Sequence, residues 1–358
     1  MANLVLLDST RTGKKLEDLE RKLRSLVVGQ DEAIHQIVTA YQSHVTGLAP
    51  FGRPIGNFLF LGPTGSGKTR VVEATAQSLF NDSKALVKID CAEYQHSHEI
   101  AKLVGSPPGY LGHRETHPLL SQEALNRHHT DKIRISLVLF DEIEKASDSL
   151  WNLLLGILDK GVLTLGDNRK VDFSSSMIFL TSNLGAAEMC ALSSPQLGFS
   201  PARRDGGFHG GQEAKMSRVG IDAARRKFTP EFINRLDKIV VFKPLGEVEL
   251  EQILDIELEI VERRLQAAAG SEVFQLSVAE SARQLLLTEG TDSRYGARHL
   301  KRAIERLLVQ PLSNLLASGQ IKRGDFIHVS REDSATSLQF FREPVVRDHW
   351  RTAASLAA

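Results

Sequence analysis

Gly62-Pro63-Thr64-Gly65-Ser66-Gly67-Lys68-Thr69 directly follows the apolar run Asn57-Phe58-Leu59-Phe60-Leu61 and precedes a helix-competent stretch at 70–80. Glycines at these positions let successive backbone N–H groups turn inward around a phosphate, and the N-terminus of the following helix adds its partial positive charge. Strand, motif and helix coincide, which is the context that a phosphate-binding loop requires. In that reading Gly62, Pro63, Thr64, Gly65, Ser66 and Gly67 form the cradle for a nucleotide's phosphates, Lys68 reaches the β- and γ-phosphates, and the Thr69 hydroxyl ligates Mg²⁺. The plain alternative is a Gly-rich turn between a strand and a helix.

A second motif is the apolar run at 135–140 followed by Asp141-Glu142. A buried strand that ends in two acids points both carboxylates into the crevice at the carboxyl edge of an open α/β sheet, where phosphate ligands sit. Asp141 is then the second Mg²⁺ ligand, directly or through water, and Glu142 orients and deprotonates the attacking water. A helix N-cap with acids in its first turn uses the same residues, so the pair gains its weight from the phosphate loop upstream.

A chain of 358 residues with 42% hydrophobic content can bury a sizeable core, in two units rather than one. Lysine plus arginine balance aspartate plus glutamate at 44 each, so no overall field draws the protein to nucleic acid or to an anionic membrane. The two cysteines, Cys91 and Cys190, stand outside any Cys-x-x-Cys spacing and fit a reducing compartment. The N-terminal run Leu4-Val5-Leu6-Leu7 lacks the basic flank and cleavage pattern of a secretion signal. No apolar stretch approaches the roughly 20 residues of a membrane-spanning helix. A soluble, cytoplasmic protein is expected.

Strand candidates at 58–61, 86–89, 136–140, 177–180 and 239–242 alternate with helical patterns, and helices are predicted at 16–26 and 31–45. Buried runs of that length between helices predict an α/β fold: a mostly parallel sheet covered on both faces, hence three layers. From Pro244 the pattern becomes helical, with segments at 247–266, 279–289 and 297–318 and a short strand at 326–330. The expected organisation is an N-terminal helical extension (1–26), a large domain (27–243), a smaller mainly helical domain (244–331) and a weakly patterned tail (332–358). Residues 193–217, rich in Gly, Ser, Pro and Arg, are expected to form a mobile insertion too polar to pack.

The order of the two motifs above, Thr181-Ser182-Asn183, Phe232-Ile233-Asn234-Arg235-Leu236-Asp237 and Tyr295-Gly296-Ala297-Arg298 resembles the AAA+ ATPases. The local wording is similar to the Clp unfoldases, above all the second ATPase module of ClpB, ClpA and ClpC. The resemblance runs from Val27 to Val329. It implies a P-loop large domain and a helical small domain, with Asn183 as sensor 1 beside the attacking water, Arg235 as an arginine finger supplied in trans, and Arg298 as sensor 2. Val27 and Val28 match the segment that packs beside the adenine. From the residues alone, Asn183 could be a strand-terminal turn residue, Arg235 a surface partner of Asp237, Arg298 one of several arginines on a helix face, and the valines plain core. A finger acting in trans implies a ring, and the resemblance makes it a homo-hexamer.

In this family Gly109-Tyr110-Leu111-Gly112 corresponds to the pore loop, so Tyr110 and Leu111 are expected to grip an extended polypeptide. A tyrosine folded back on its own domain is the alternative. Leu165 to Lys170 reads as a turn between strand-like segments. Leu197-Gly198-Phe199 resembles the tip with which some Clp proteins dock on the ClpP peptidase, whereas ClpB-like proteins carry Gly-Phe here without such a partner. The stretch before Val27 is too short for the first ATPase module of the two-ring proteins, so substrate choice is expected in the pore, in the tail or in an adaptor. Cys91, His96 and His98 match no common zinc spacing and are expected in solvated loop. The expected function is an ATP-driven threading chaperone; the alternative is an ATP-controlled assembly switch that remodels one partner without threading.

Overall fold

In a computed structural model, which describes residues 13–106, 118–193, 209–269, 275–292, 296–322, 324–332 and 337–343, the apolar runs become strands with two buried faces. The strands of the first part of the chain are β1 (Gly56–Leu61), β2 (Val87–Asp90), β3 (Ser136–Asp141), β4 (Val162–Thr164), β5 (Lys170–Asp172), β6 (Ser176–Ser182) and β7 (Lys238–Val241). Five of them form one sheet in the order β2-β3-β6-β1-β7, with every neighbouring pair parallel. β4 and β5 make a separate antiparallel hairpin, the pair of strand-like segments expected around the 165–170 turn.

Successive strand side chains point to opposite faces, and the core divides accordingly. Phe58, Phe60, Leu137, Leu139, Met177 and Phe179 join the cluster that includes Leu16, Leu19 and Leu23 of helix Lys14–Leu26 and Ile34, Ile37 and Val38 of helix Asp31–Val45. Leu59, Leu61, Val138, Phe140, Ile178 and Leu180 join the other, with Leu150, Leu154, Ile157 and Leu158 of helix Asp148–Lys160. Helix, sheet and helix are the three expected layers. Rings lock the first face: Phe58 stacks on Phe179 at 5.2 Å, and Phe60 meets Phe242 at 4.9 Å.

Parallel strands need crossovers. The chain leaves β1, one strand in from the edge of the sheet, passes through helix Lys68–Phe80 to β2 at the opposite edge, returns by β3 and β6, and ends with β7 on the far side of β1. The turn after β1 therefore lies where the strand order reverses, the position at which open α/β sheets leave a crevice.

The chain divides into two compact units, Met1–Pro244 and Leu245–Ala358. The second unit holds helices Glu247–Ala269, Glu280–Gly290, Ala297–Ile304 and Gln310–Ala317 around Leu254, Leu285, Leu286, Leu300, Leu308 and Leu312. It departs from expectation in two ways. β8 (Gln275–Val278), β9 (Phe326–Ser330) and β10 (Gln339–Glu343) form a three-stranded sheet, so the strand at 326–330 has partners on both sides and one of them lies in the unassigned tail. The run 297–318 is not one α-helix, because Glu305–Val309 forms a π turn ahead of Pro311. Proline has no N–H to give to the carbonyl four residues back, and the ladder widens there.

A further correction concerns the polar insertion. Its second half does not stay out of the packing: helix His209–Lys227 begins inside it, and Met216 is buried, as are Ala223 and Ala224 further along. Contact with the body of the unit overrides the weak helix preference of its glycines. Residues 194–208 lie outside the described residues.

Phe179 touches two rings and is fully buried in the central strand of the sheet. Phe179→Ala is expected to lower the unfolding free energy by about 3–5 kcal/mol in urea titration.

Candidate functional site

The phosphate loop begins where β1 hands the chain to a turn that only glycine can make. At Gly62 a Cβ would lie 2.6 Å from the Phe242 carbonyl oxygen, and the backbone has φ +150°. Gly65 and Gly67 are also at positive φ, 79° and 100°. Among the described residues no side chain caps helix Lys68–Phe80, and a helix N-terminus is a favourable place for an anion. Lys68 is buried, and its ammonium donates to the carbonyls of Gly62 (2.7 Å) and Pro63 (2.8 Å) and to Asn183 Oδ1 (2.9 Å). Ser66 closes the loop by donating to the Pro63 carbonyl.

The acids stand beside it, as the strand order requires. Asp141 ends β3, and the Thr69 hydroxyl faces both of its carboxylate oxygens at 3.4 Å. Hydroxyl and carboxylate are hard oxygen donors, and Mg²⁺ is held by one or two carboxylates together with substrate phosphates rather than by an all-protein cage. Thr69 and Asp141 fit that ion. Among the described residues no group of three or more His, Cys, Asp or Glu is placed to hold a metal. Lys88 lies 3.6 Å from Asp141.

Glu142 follows in the left-handed conformation, φ 56° and ψ 48°. Its carboxylate pairs with Lys145 and accepts from Asn183 Nδ2 at 3.5 Å. That carboxylate holds the Lys145 ammonium above its ordinary range. Asn183 is the crossing point: Oδ1 accepts from Lys68 and from Thr64 (3.4 Å), Nδ2 turns to Glu142, and its backbone N–H donates to Glu144 Oε1 at 3.1 Å. The structure thus brings Lys68, Thr69, Asp141, Glu142 and Asn183 to one edge of the sheet.

Three contributors were not singled out from sequence. Gln30, buried, donates to the carbonyls of Ser66 (3.0 Å) and Lys243 (3.1 Å), tying the segment after Val28 to the phosphate loop. Thr181 and Glu144 hold backbone N–H groups of the acidic motif and of Asn183. Thr181 stood inside a quoted motif, Glu144 two residues past the acidic pair and Gln30 two residues past Val28, and that position was the only available signal. Val27 is buried in the core cluster, while Val28 is half-buried.

Arg235 lies at the opposite end of the sheet. Asn57, the second residue of β1, donates through Nδ2 to the Arg235 carbonyl at 3.0 Å, whereas the phosphate loop starts after Leu61. Four strand steps of about 3.3 Å separate those points, roughly 13 Å. The guanidinium pairs with Glu231 at 3.0 Å and Asp159 at 3.9 Å, and its buried Nε–H meets no acceptor among the described residues. Asp237 is not its partner: that carboxylate takes Arg53 at 2.6 Å and the Asn57 N–H at 2.8 Å. Arg298 belongs to the second unit, exposed in the first turn of helix Ala297–Ile304. Tyr110, Leu111, Leu197, Gly198 and Phe199 lie outside the described residues. The segment that leads to Tyr110 is anchored before it, because Gly166 at the tip of the β4–β5 hairpin donates to the Val104 carbonyl at 2.8 Å. A Cβ on Gly166 would come within 2.5 Å of the Gly105 carbonyl oxygen.

Residues 53–239 match the AAA domain (Cdc48 subfamily), and residues 245–329 match the C-terminal, D2-small domain of ClpB protein. The chain is 39% identical over 329 residues to the chaperone protein ClpB of Bdellovibrio bacteriovorus, covering 91% of this chain and 35% of that protein. It is 41% identical over 317 residues to ClpB of Meiothermus ruber, covering 88% and 34%. The chain therefore spans about a third of the length of these curated relatives. Among solved structures it is similar to Hsp104 with ATPyS and FITC casein in a closed state (TM-score 0.75, 30% identity, 92% of this chain and 52% of that one). It is likewise similar to the S. cerevisiae Hsp104:casein complex in an extended conformation (TM-score 0.77, 30% identity, 93% and 53%). Among the described residues no helix is long and apolar enough to cross a membrane.

Cys91 corrects an expectation: it is fully buried just after β2, not solvated. Burial pushes its thiol far up, and the carboxylates of Asp90, Asp141, Glu144 and Glu142 push the same way. Thiolate is the reactive form. A Cys190→Ser protein should therefore take up Ellman's reagent only once denatured; rapid uptake by the native protein would show that this edge of the sheet opens.

Proposed function

The chain belongs to the AAA family of ATPase domains and carries a ClpB-type small domain, and on that premise we propose that it hydrolyses ATP in a ring of like copies and uses the cycle to draw polypeptides through a central channel. The observation that carries the ring is the placement of Arg235 at the edge of the sheet away from the phosphate loop. A guanidinium there cannot complete the pocket of its own chain, and the pocket of an adjoining copy is the site it can serve. We take the closed ring to be a homo-hexamer.

In the proposed cycle the Lys68 ammonium exchanges the loop carbonyls for phosphate oxygens, and N–H groups of the loop and of the helix N-terminus take the remaining anionic charge. Mg²⁺ held by Thr69 and Asp141 would neutralise charge on the phosphates. Glu142 accepts the proton of the attacking water while the Asn183 amide holds that water in line. Arg235 of an adjoining copy stabilises the charge that develops at the transferring phosphate, a contribution worth about 10³–10⁵ in rate. Arg298 reports the nucleotide to the small domain, and Val28 packs near the base.

Tyr110 and Leu111 are the proposed grip on the threaded chain, since an aromatic and an aliphatic side chain hold any sequence without reading it. The relatives are named ClpB and Hsp104, and the solved neighbours hold casein. That favours release of the threaded chain, as in a disaggregase, over delivery through Leu197, Gly198 and Phe199 to a ClpP-type peptidase.

Complementation tests the seam. Lys68→Ala and Arg235→Ala proteins should each be inactive in phosphate release, yet recover turnover when mixed, because one supplies the finger and the other the intact pocket. Absence of recovery, or full activity of Arg235→Ala alone, would remove the trans assignment. Tyr110→Ala should keep ATPase activity and lose unfolding of a tagged fluorescent protein; unimpaired unfolding would favour a remodelling switch over threading. Glu142→Gln should bind ATP, hydrolyse it slowly and retain bound substrate in pull-down.

A further inference from the structure

The backbone ladder between β3 and β6 stops at Phe140 and Leu180. One residue further, the Thr181 hydroxyl takes over its work. It is buried at 1% exposure, the Glu142 N–H donates to its oxygen at 3.1 Å, and its own O–H donates to the Asp141 carboxylate. A hydroxyl can accept and donate at a single atom, so this one side chain is bonded to both acids of the motif at once. Its backbone cannot drift, because Thr181 is paired with Phe60 of β1 on the other side.

Glu142 needs such a hold. Its left-handed backbone, φ 56° and ψ 48°, is one that a side chain with a Cβ rarely adopts without local support. Rotating that peptide would swing the carboxylate away from Asn183 Nδ2, now 3.5 Å away, and away from the phosphate loop. Thr69, the other hydroxyl near Asp141, cannot substitute: it stands 3.4 Å from that carboxylate and is not bonded to the Glu142 amide.

We propose that Thr181 is a positioning residue for ATP hydrolysis, fixing the direction in which Glu142 presents its carboxylate. This rests on the reading of Glu142 as the group that activates water. In this role Thr181 acts through the Glu142 amide.

The test is steady-state ATP turnover of the full chain carrying Thr181→Val, which keeps the shape and removes the hydroxyl, beside Thr181→Ser, which keeps the hydroxyl. Thr181→Val is expected to lower kcat by about 10²-fold, the scale of a misplacement near 1 Å, with KM for ATP and the affinity for a fluorescent ATP analogue unchanged. Thr181→Ser should restore most of kcat. In a Glu142→Gln background Thr181→Val should slow hydrolysis no further, because the group it positions is already gone. Wild-type kcat in Thr181→Val, or a full additional loss in the Glu142→Gln background, would overturn the proposal. Should Thr181→Val not fold by thermal melting, Thr181→Cys is read by the same criteria. Failure of the Glu142 reading has a different signature, unimpaired turnover in Glu142→Gln itself, and would take the proposal with it.

Discussion

Strands that all run the same way must all end at the same edge. The five-stranded sheet imposes that rule on the large unit, and the site depends on it. The phosphate loop, Asp141 and Asn183 are far apart in sequence but meet because β1, β3 and β6 are parallel neighbours. The same rule sends Arg235, held at the start of β1 by Asn57, to the other edge. A pocket that needs a guanidinium must then receive it from another molecule. Assembly, in the function proposed above, follows from strand direction.

At the carboxyl edge the backbone ladder gives way to side chains. Asn183 bonds to Lys68 and Glu142, Thr181 to Asp141 and Glu142, and Glu144 to the Asn183 amide. These groups are partly buried, where an unmade hydrogen bond costs about 1–3 kcal/mol, so each partner fixes the next. Lys68 has its charge satisfied by carbonyl dipoles and an amide oxygen, partners that phosphate oxygens can displace without leaving a charge stranded.

The second unit follows a different logic. Its helices pack their apolar faces around Leu300, Leu308 and Leu312, and a short mixed sheet completes the core through Ile327 and Val329. β10 pairs antiparallel with β9, while β8 pairs parallel on the other side. A three-stranded sheet this short holds because one face rests on helices, as sheets of that size require.

Much of the large unit was legible in the residues. Long apolar runs announce parallel strands because a strand buried on both faces has no polar side to show, and the glycine spacing of 62–69 announces a phosphate loop because other residues cannot take those backbone angles. What the residues could not announce was pairing. Thr181, Glu144 and Gln30 are ordinary polar letters whose value comes from the strand beside them. β10 mixes Phe340 and Phe341 with Arg342 and Glu343 and carries no run to read, and the glycine-containing helix His209–Lys227 is held by burial rather than by propensity. Local sequence decided which backbone shapes were available and which atoms could carry chemistry. Tertiary structure decided which of those atoms meet, because strand order and burial are properties of the whole sheet and not of any segment of it.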